Sequence, residues 1–154
     1  MSQPVKQPWA IIGALVVAIL DRVTKTAALA WCVQPCVFNR FMAFDLALNR
    51  GISCGLFHFE STIGFVIISL LVCVILSIII VWSKRFYRQG EPILGHLLII
   101  AGGLSNVYDR FVYGGVVDFI SVSLNGWHWA LFNVADIAIN VGVLLLLIQH
   151  MRTK

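Results

Sequence analysis

The sequence predicts a mainly α-helical membrane protein with four transmembrane helices and a small extracytoplasmic β-sheet. Two observations carry this prediction: the composition and the spacing of the apolar segments. The chain has 154 residues, of which 60% are hydrophobic and only 12% are charged. A soluble domain carries about 25% charged residues. The composition therefore argues against a water-soluble globule, and the length suits a single integral membrane domain, residues 1–154.

Four apolar segments are expected to span the membrane, at approximately residues 9–31, 63–82, 95–111 and 130–149. The second is the clearest, because it has no charge from Ile63 to Trp82, close to the ~20 residues that cross a hydrocarbon core of about 30 Å. The first is interrupted by the charged motif "DRVTK", Asp21–Lys25. Two longer loops separate the segments, at residues 32–62 and 112–129.

Six of the eight basic residues outside the apolar segments indicate the orientation. They fall in the amino-terminal tail, in the link between the second and third segments, and in the carboxyl-terminal tail: Lys6, Lys84, Arg85, Arg88, Arg152 and Lys154. The positive-inside rule places these three regions in the cytoplasm and the two longer loops outside. The formal net charge of +4 is scattered in this way, so no nucleic-acid partner is expected.

The two outer loops are predicted to contain short strands. The second contains Asn125-Gly126 between two β-prone runs, which is the strongest short-range hairpin signal. The first contains "FMAFDLAL", which also has the composition of a strand. We expect a small β element at the outer membrane surface. Whether Cys32 and Cys36 form a disulfide stays open.

The fourth apolar segment opens with "FNVADIAIN", residues 132–140, and so places Asp136 in a membrane helix. An acid in hydrocarbon costs at least about 2.5–3.5 kcal/mol and usually marks a functional site. Asn133, Asp136 and Asn140 follow helical spacing, which predicts one polar face directed into the bundle. If the helix starts near Ala130, Asp136 lies about 9 Å along it.

Asp118, in the first arm of the predicted hairpin, supplies a second carboxylate at the outer end of the bundle. Two neighbouring carboxylates share one proton, since both cannot ionise easily. The ionised member can deprotonate water, and the protonated member can polarise a carbonyl and protonate a leaving amine. No metal or other cofactor is required for this chemistry.

The remaining charges near these acids favour structural interpretations. Asp21 and Lys25 are four residues apart, which predicts a salt bridge within the first helix. Asp109 adjoins Arg110 and is interpreted as its ion-pair partner. Arg110 itself is expected to bind a backbone carbonyl or a lipid phosphate.

Four sequence blocks, taken together, resemble the lipoprotein signal peptidases, the bacterial signal peptidase II family. They are "DRVTK", "NRGISCGLF", "GGLSNVYDRFVYGGVVDFI" and "FNVADIAIN", in the order that the family has. The resemblance covers essentially the whole chain, and the combination of blocks is highly specific. It implies an aspartic endopeptidase of the bacterial plasma membrane, expected to be a monomer. Its substrates would be prolipoproteins, cut on the amino side of a cysteine that carries a diacylglyceryl group.

The resemblance also assigns residues. It places the catalytic pair on Asp118 and Asp136, and it makes six further residues supporting or substrate-binding: Asn49, Asn106, Arg110, Asn133, Asp21 and Lys25. Two departures concern the substrate loop. Ser105 stands where the family usually has glycine, and Ile52–Cys54 replaces small residues that a phenylalanine follows, so that Phe57 comes late.

Other classes of function remain possible on the sequence alone. Acids inside the membrane also suit a small proton or ion transporter, the main alternative. A non-catalytic assembly factor would use the same polar face to bind a partner helix. A presenilin-like protease is closer, but its Gly-x-Gly-Asp signature is absent from this chain.

Overall fold

The computed structural model describes residues 7–32, 34–51, 61–124 and 127–152. Its helices are α1 (Pro8–Trp31), α2 (Thr62–Arg88), α3 (Leu94–Tyr113) and α4 (Val134–Arg152). Its strands are β1 (Cys36–Asn39), β2 (Met42–Asn49), β3 (Val116–Leu124) and β4 (Trp127–His128). The predicted combination of a mainly helical fold with a small sheet is confirmed.

Helix α3 lies at the centre of the bundle and contacts α1, α2 and α4. Its closest approach to α4 depends on glycine. A Cβ built on Gly102 would lie 2.5 Å from the carbonyl oxygen of Ala135, and one on Gly142 would lie 2.7 Å from that of Gly95. Small residues allow helix backbones to pack this closely in a membrane. The contact at Gly102 fixes the first turn of α4 against α3.

Two described helices, α2 and α4, are long and apolar enough to cross a membrane by length and composition. Helices α1 and α3 contain buried charges: Asp21, Lys25, Asp109 and Arg110. The observed helices differ from the predicted segments at two ends. Helix α2 continues through the basic residues to Arg88, and α4 begins at Val134 instead of Ala130.

The amino end of α1, the α2–α3 link and the carboxyl end of α4 meet at one end of the bundle, as the basic tails predicted. The Gln7 side chain donates to the Glu91 carbonyl at 2.8 Å and accepts from the Ile93 amide at 3.1 Å. The Gln149 amide donates to the Glu91 carboxylate at 3.3 Å. The sheet lies at the opposite end.

The sheet has the antiparallel order β1-β2-β3-β4. Strand β2 is the predicted "FMAFDLAL" strand, and it pairs Ala47 with Asp118 and Asn49 with Val116 of β3. Strands β3 and β4 pair Leu124 with Trp127, as a two-residue hairpin requires. The predicted turn residues Asn125 and Gly126 lie outside the described residues, as do Ile52–Cys54 and Phe57.

Between α3 and β3 the chain turns sharply at Gly114. This residue ends α3 with φ of 71°, a left-handed conformation that glycine adopts without strain. The turn sends β3 back across the end of α3 and brings Asp118 to the bundle. Cys32 and Cys36 are free thiols.

Candidate active site

Two buried carboxylates meet where the sheet joins the bundle. Asp118 on β3 is 1% exposed and Asp136 on α4 is 9% exposed. Both line a cavity of about 90 Å³. Its other walls are Asn49, Gly51, Val72, Gly103, Asn106, Arg110, Val116 and Ile139. The fold therefore brings Asp118 and Asp136, the two acids named from the sequence, to the same cavity.

Asp136 also helps to start α4. The Asn133 side-chain oxygen accepts from the Asp136 amide at 2.9 Å, and the Asp136 carboxylate accepts from the Asn133 amide at 3.2 Å. This reciprocal pair is a capping box, built here with an aspartate in place of the usual Glu or Gln. The cap explains why the helix begins at Val134. The predicted depth of 9 Å is wrong, because Asp136 lies in the first turn of α4.

Three asparagine amides surround the two carboxylates. Asn49 and Asn133 donate to the two oxygens of Asp118, at 2.9 and 2.6 Å. Asn106 donates to the Asp136 carboxylate at 2.9 Å. Asn133 thus contacts Asp118 through its side chain and Asp136 through its backbone, and it bridges the pair.

The orientation of each amide is fixed by a donor on its oxygen. Asn49 accepts from the Gly51 amide at 2.9 Å, and Asn106 accepts from the Lys25 ammonium at 2.7 Å. Asn133 accepts from the Asp136 amide, as described. A donor bound to the amide oxygen fixes which end of the amide is oxygen and which is NH₂. In all three asparagines the NH₂ end therefore points at the carboxylates.

A buried ionic cluster lies behind the carboxylates, with Lys25 at its centre. The ammonium lies 2.9 Å from the Asp21 carboxylate and 2.7 Å from that of Asp109. Arg22 adds contacts of 3.2 Å to Asp21 and 2.7 Å to Asp109. The predicted Asp21–Lys25 salt bridge is present, but as part of a cluster that joins α1 to α3. Its two acids balance its two bases.

Each acid of this cluster accepts a hydrogen bond from the backbone amide of the residue that precedes one of the two site aspartates. Asp21 accepts from the Ala135 amide at 2.8 Å, and Ala135 precedes Asp136. Asp109 accepts from the Val117 amide at 3.2 Å, and Val117 precedes Asp118. Since Lys25 binds both acids, one ammonium links the two backbone positions from which the carboxylates project. We call Asp21, Lys25 and Asp109 the clamp.

Two expectations about neighbouring polar residues are wrong. Asp109 pairs with Lys25 and Arg22 instead of Arg110, because consecutive helix residues point about 100° apart. Asn140 is exposed and bonds the carbonyl of Asp136 within its own helix at 2.8 Å, so it does not join the inward polar face. Its amide is satisfied locally and needs no partner in the bundle.

Arg110 binds backbone carbonyls, one of its two expected roles. Its guanidinium donates to the carbonyls of Arg50 and Gly51, which holds these two residues, directly after β2, against the bundle. It also interacts electrostatically with Asp118 and Asp136. Arg110, Asp118 and Asp136 together therefore have no net charge when the two carboxylates carry a single proton between them.

The sequence did not assign functional importance to Arg22, Asp109 or Ser105. Ser105 donates to the Asp21 carboxylate at 2.5 Å. The sequence contains one clue that an acid such as Asp109 pairs with the first helix. The first helix contains the bases Arg22 and Lys25 with one acid, and buried charges need partners of opposite sign.

The environment of Asp118 favours its protonated form. Burial, with a smaller contribution from the Asp136 charge, raises the pKa of Asp118 to about 7, against its usual 3.8. No cluster of three metal-ligating side chains occurs in the part of the chain that the structure describes. The geometry suits proton transfer between two carboxylates and a bound water or peptide.

Comparison with known proteins identifies the family. The family model described as signal peptidase (SPase) II matches residues 13–152. The lipoprotein signal peptidase of Pseudomonas paraeruginosa is 37% identical over 96% of this chain and 89% of its own length. That of Thermodesulfovibrio yellowstonii is 31% identical over 92% of this chain and 93% of its own.

A solved structure has the same fold. It is a bacterial membrane enzyme determined at 2.3 Å by the in meso method, with a TM-score of 0.77 and 25% sequence identity. The match covers 99% of this chain and 93% of the other. The sequence relatives, the fold and the matched family model agree: the chain belongs to the signal peptidase II family.

Proposed function

We propose that Asp118 and Asp136 are the catalytic pair with which this membrane peptidase removes signal peptides from diacylglyceryl-modified prolipoproteins. One observation carries the proposal. Two buried carboxylates line one cavity, both contact Asn133, and the amides of Asn49 and Asn106 also donate to them. Membership of the family and the names of its relatives supply the substrate class.

In the proposed mechanism the two aspartates have different roles. We assign the shared proton to Asp118, whose pKa is raised to about 7, and ionised Asp136 then removes a proton from a bound water. The resulting hydroxide attacks the scissile carbonyl carbon while protonated Asp118 hydrogen-bonds the carbonyl oxygen. A carboxyl proton then passes to the amide nitrogen, and the C–N bond breaks. Arg110 offsets the negative charge that remains on the pair.

The surrounding hydrogen bonds support this cycle. Asn49, Asn106 and Asn133 all donate, so they hold the carboxylate oxygens in place without taking their protons. Preorganised donors of this kind avoid reorganisation at the moment of reaction. The three asparagines are thus proposed as supporting residues, and Arg110 as the residue that holds Arg50 and Gly51 beside the site.

We further propose that all four helices cross the bacterial inner membrane, with both termini in the cytoplasm and the active site near the outer leaflet. The charged residues of α1 and α3 are then tolerated because they are paired inside the bundle. The basic residues at the opposite end from the sheet support this orientation. Membrane lipids surround the chain, which is proposed to act as a monomer without a metal or other cofactor.

Dependence on the substrate lipid tests the proposed function. Purified enzyme is incubated with a diacylglyceryl-modified prolipoprotein and, separately, with the same precursor lacking the lipid, and cleavage is followed by gel shift. We expect cleavage of the lipidated precursor at least about tenfold faster, because the acyl chains hold the scissile bond at the depth of the site. Equal rates would contradict lipid recognition. Asp136-dependent ion uptake into vesicles without cleavage would favour the transporter.

The pH dependence tests the role of Asp118. Its pKa is raised to about 7, so the carboxyl stays protonated below that pH and loses its proton above it. We expect kcat/KM for the lipidated precursor to fall about tenfold per pH unit well above 7, where Asp118 loses its proton. A profile that stays flat to pH 8.5 would contradict the assignment of the shared proton.

A further inference from the structure

Ser105 is a buried side chain with no role in the proposed mechanism. Ser105 lies on α3 and is 8% exposed. Its hydroxyl donates to the Asp21 carboxylate on α1 at 2.5 Å.

The hydroxyl completes the coordination of Asp21. One oxygen of Asp21 accepts from Ser105, from Lys25 at 2.9 Å and from Arg22 at 3.2 Å. The other oxygen is left to accept from the Ala135 amide at 2.8 Å. Because three donors fix one oxygen, the carboxylate cannot rotate without breaking them, and the second oxygen stays aimed at Ala135.

The Ala135 amide matters because it is one of the N–H groups at the start of α4 that has no partner within the helix. Asp21 supplies that partner from another helix. The adjacent Asp136 amide is held by Asn133 through the capping box. The orientation of Asp21 thus sets the position of the helical turn that carries the Asp136 carboxylate.

We propose that Ser105 is a positioning residue for peptide-bond cleavage, acting through Asp21 and Ala135 on the first turn of α4. This inference rests on the proposed catalytic pair, since it concerns the placement of Asp136. Among the described residues, Ser105 donates to Asp21 and not to Asp109, which accepts from the Val117 amide at 3.2 Å. The Ala135 amide, bound by Asp21, and the Val117 amide, bound by Asp109, can therefore be compared within one molecule.

The test uses Ser105→Ala, which removes the hydroxyl but keeps a good helix former, with Ser77→Ala as the matched control. Ser77 is exposed on α2 and bonds only the carbonyl of Cys73 in its own helix, at 2.8 Å. Two quantities are measured in detergent: amide hydrogen exchange at Ala135 and Val117, and kcat and KM for the lipidated precursor.

In Ser105→Ala we expect faster exchange at Ala135, unchanged exchange at Val117, and a kcat about 3- to 10-fold lower with KM within twofold. A net hydrogen bond of about 1 kcal/mol corresponds to a factor of about five. The control should match the native protein in every measurement.

Three results would overturn the inference. They are unchanged exchange at Ala135, faster exchange at Ala135 with an unchanged kcat, and equal acceleration at Ala135 and Val117, which indicates general loosening. The exchange measurement does not depend on the chemistry. If variants of Asp118 and Asp136 cleave at the native rate, the catalytic pair fails while the Ala135 result still tests the contact.

Discussion

Asp118→Asn and Asp136→Asn are each expected to lower kcat for the lipidated precursor by at least about 10³-fold. An asparagine can neither accept a proton from water nor donate a carboxyl proton, so each variant loses one half of the acid–base pair. The double variant should be little worse than either single one, because residues that act as a unit give non-additive losses. Single-turnover cleavage measured by gel shift provides the rates.

The matched control for these variants is Asp45→Asn. Asp45 lies on β2, in the same sheet as Asp118, and is half-buried. Its variant should retain activity within twofold. Thermal unfolding of all variants separates loss of chemistry from loss of fold. Cleavage at more than a tenth of the native rate by Asp118→Asn or Asp136→Asn would contradict the proposed pair.

Lys25→Met should strongly destabilise the protein. Lys25 is 1% exposed and binds Asp21, Asp109 and Asn106. Breaking a buried ion pair from one side costs about 3–5 kcal/mol, because the remaining charge is left without its partner. A chain of this size loses about 2–4 °C in Tm per kcal/mol. The Tm should therefore fall by roughly 10 °C, measured by thermal unfolding in detergent.

Two further variants test whether the loss of stability comes from the buried ionic cluster. Lys84→Met removes an exposed lysine from the end of α2 and should leave the Tm nearly unchanged. Lys25→Met combined with Asp109→Asn restores the charge balance of the cluster and should recover part of the lost stability. It should not recover activity, since the Asn106 oxygen still lacks the donor that orients its amide toward Asp136. A native Tm in Lys25→Met would refute the clamp.

The sequence predicted those parts of the fold that depend on composition and local pattern. The apolar segments located the helices, Asn-Gly located the β3–β4 hairpin, and the acid in "FNVADIAIN" indicated the site. The start of α4 was misplaced because the apolar residues from Ala130 continue the hydrophobic pattern. The capping box that ends this pattern depends on hydrogen bonds between Asn133 and Asp136.

The contacts behind the carboxylates were not predictable in the same way. Asp109 is far from Lys25 in the sequence, and their ion pair exists only because α3 packs against α1. The orientation of the Asn106 amide depends on Lys25. Such contacts depend on which helices pack against each other, and no local periodicity in a single sequence indicates that packing. The family resemblance identified Asn106 and Lys25 as important but did not indicate how they act.

The bridging position of Asn133 gives the site a natural spectroscopic reporter. Its backbone nitrogen donates to Asp136 and its side-chain nitrogen to Asp118, so one residue carries a separate probe of each carboxylate. The ¹⁵N chemical shifts of these two nitrogens respond to the ionisation of different oxygens. Labelling this single asparagine would therefore allow the location of the shared proton to be followed through a pH titration without altering either aspartate.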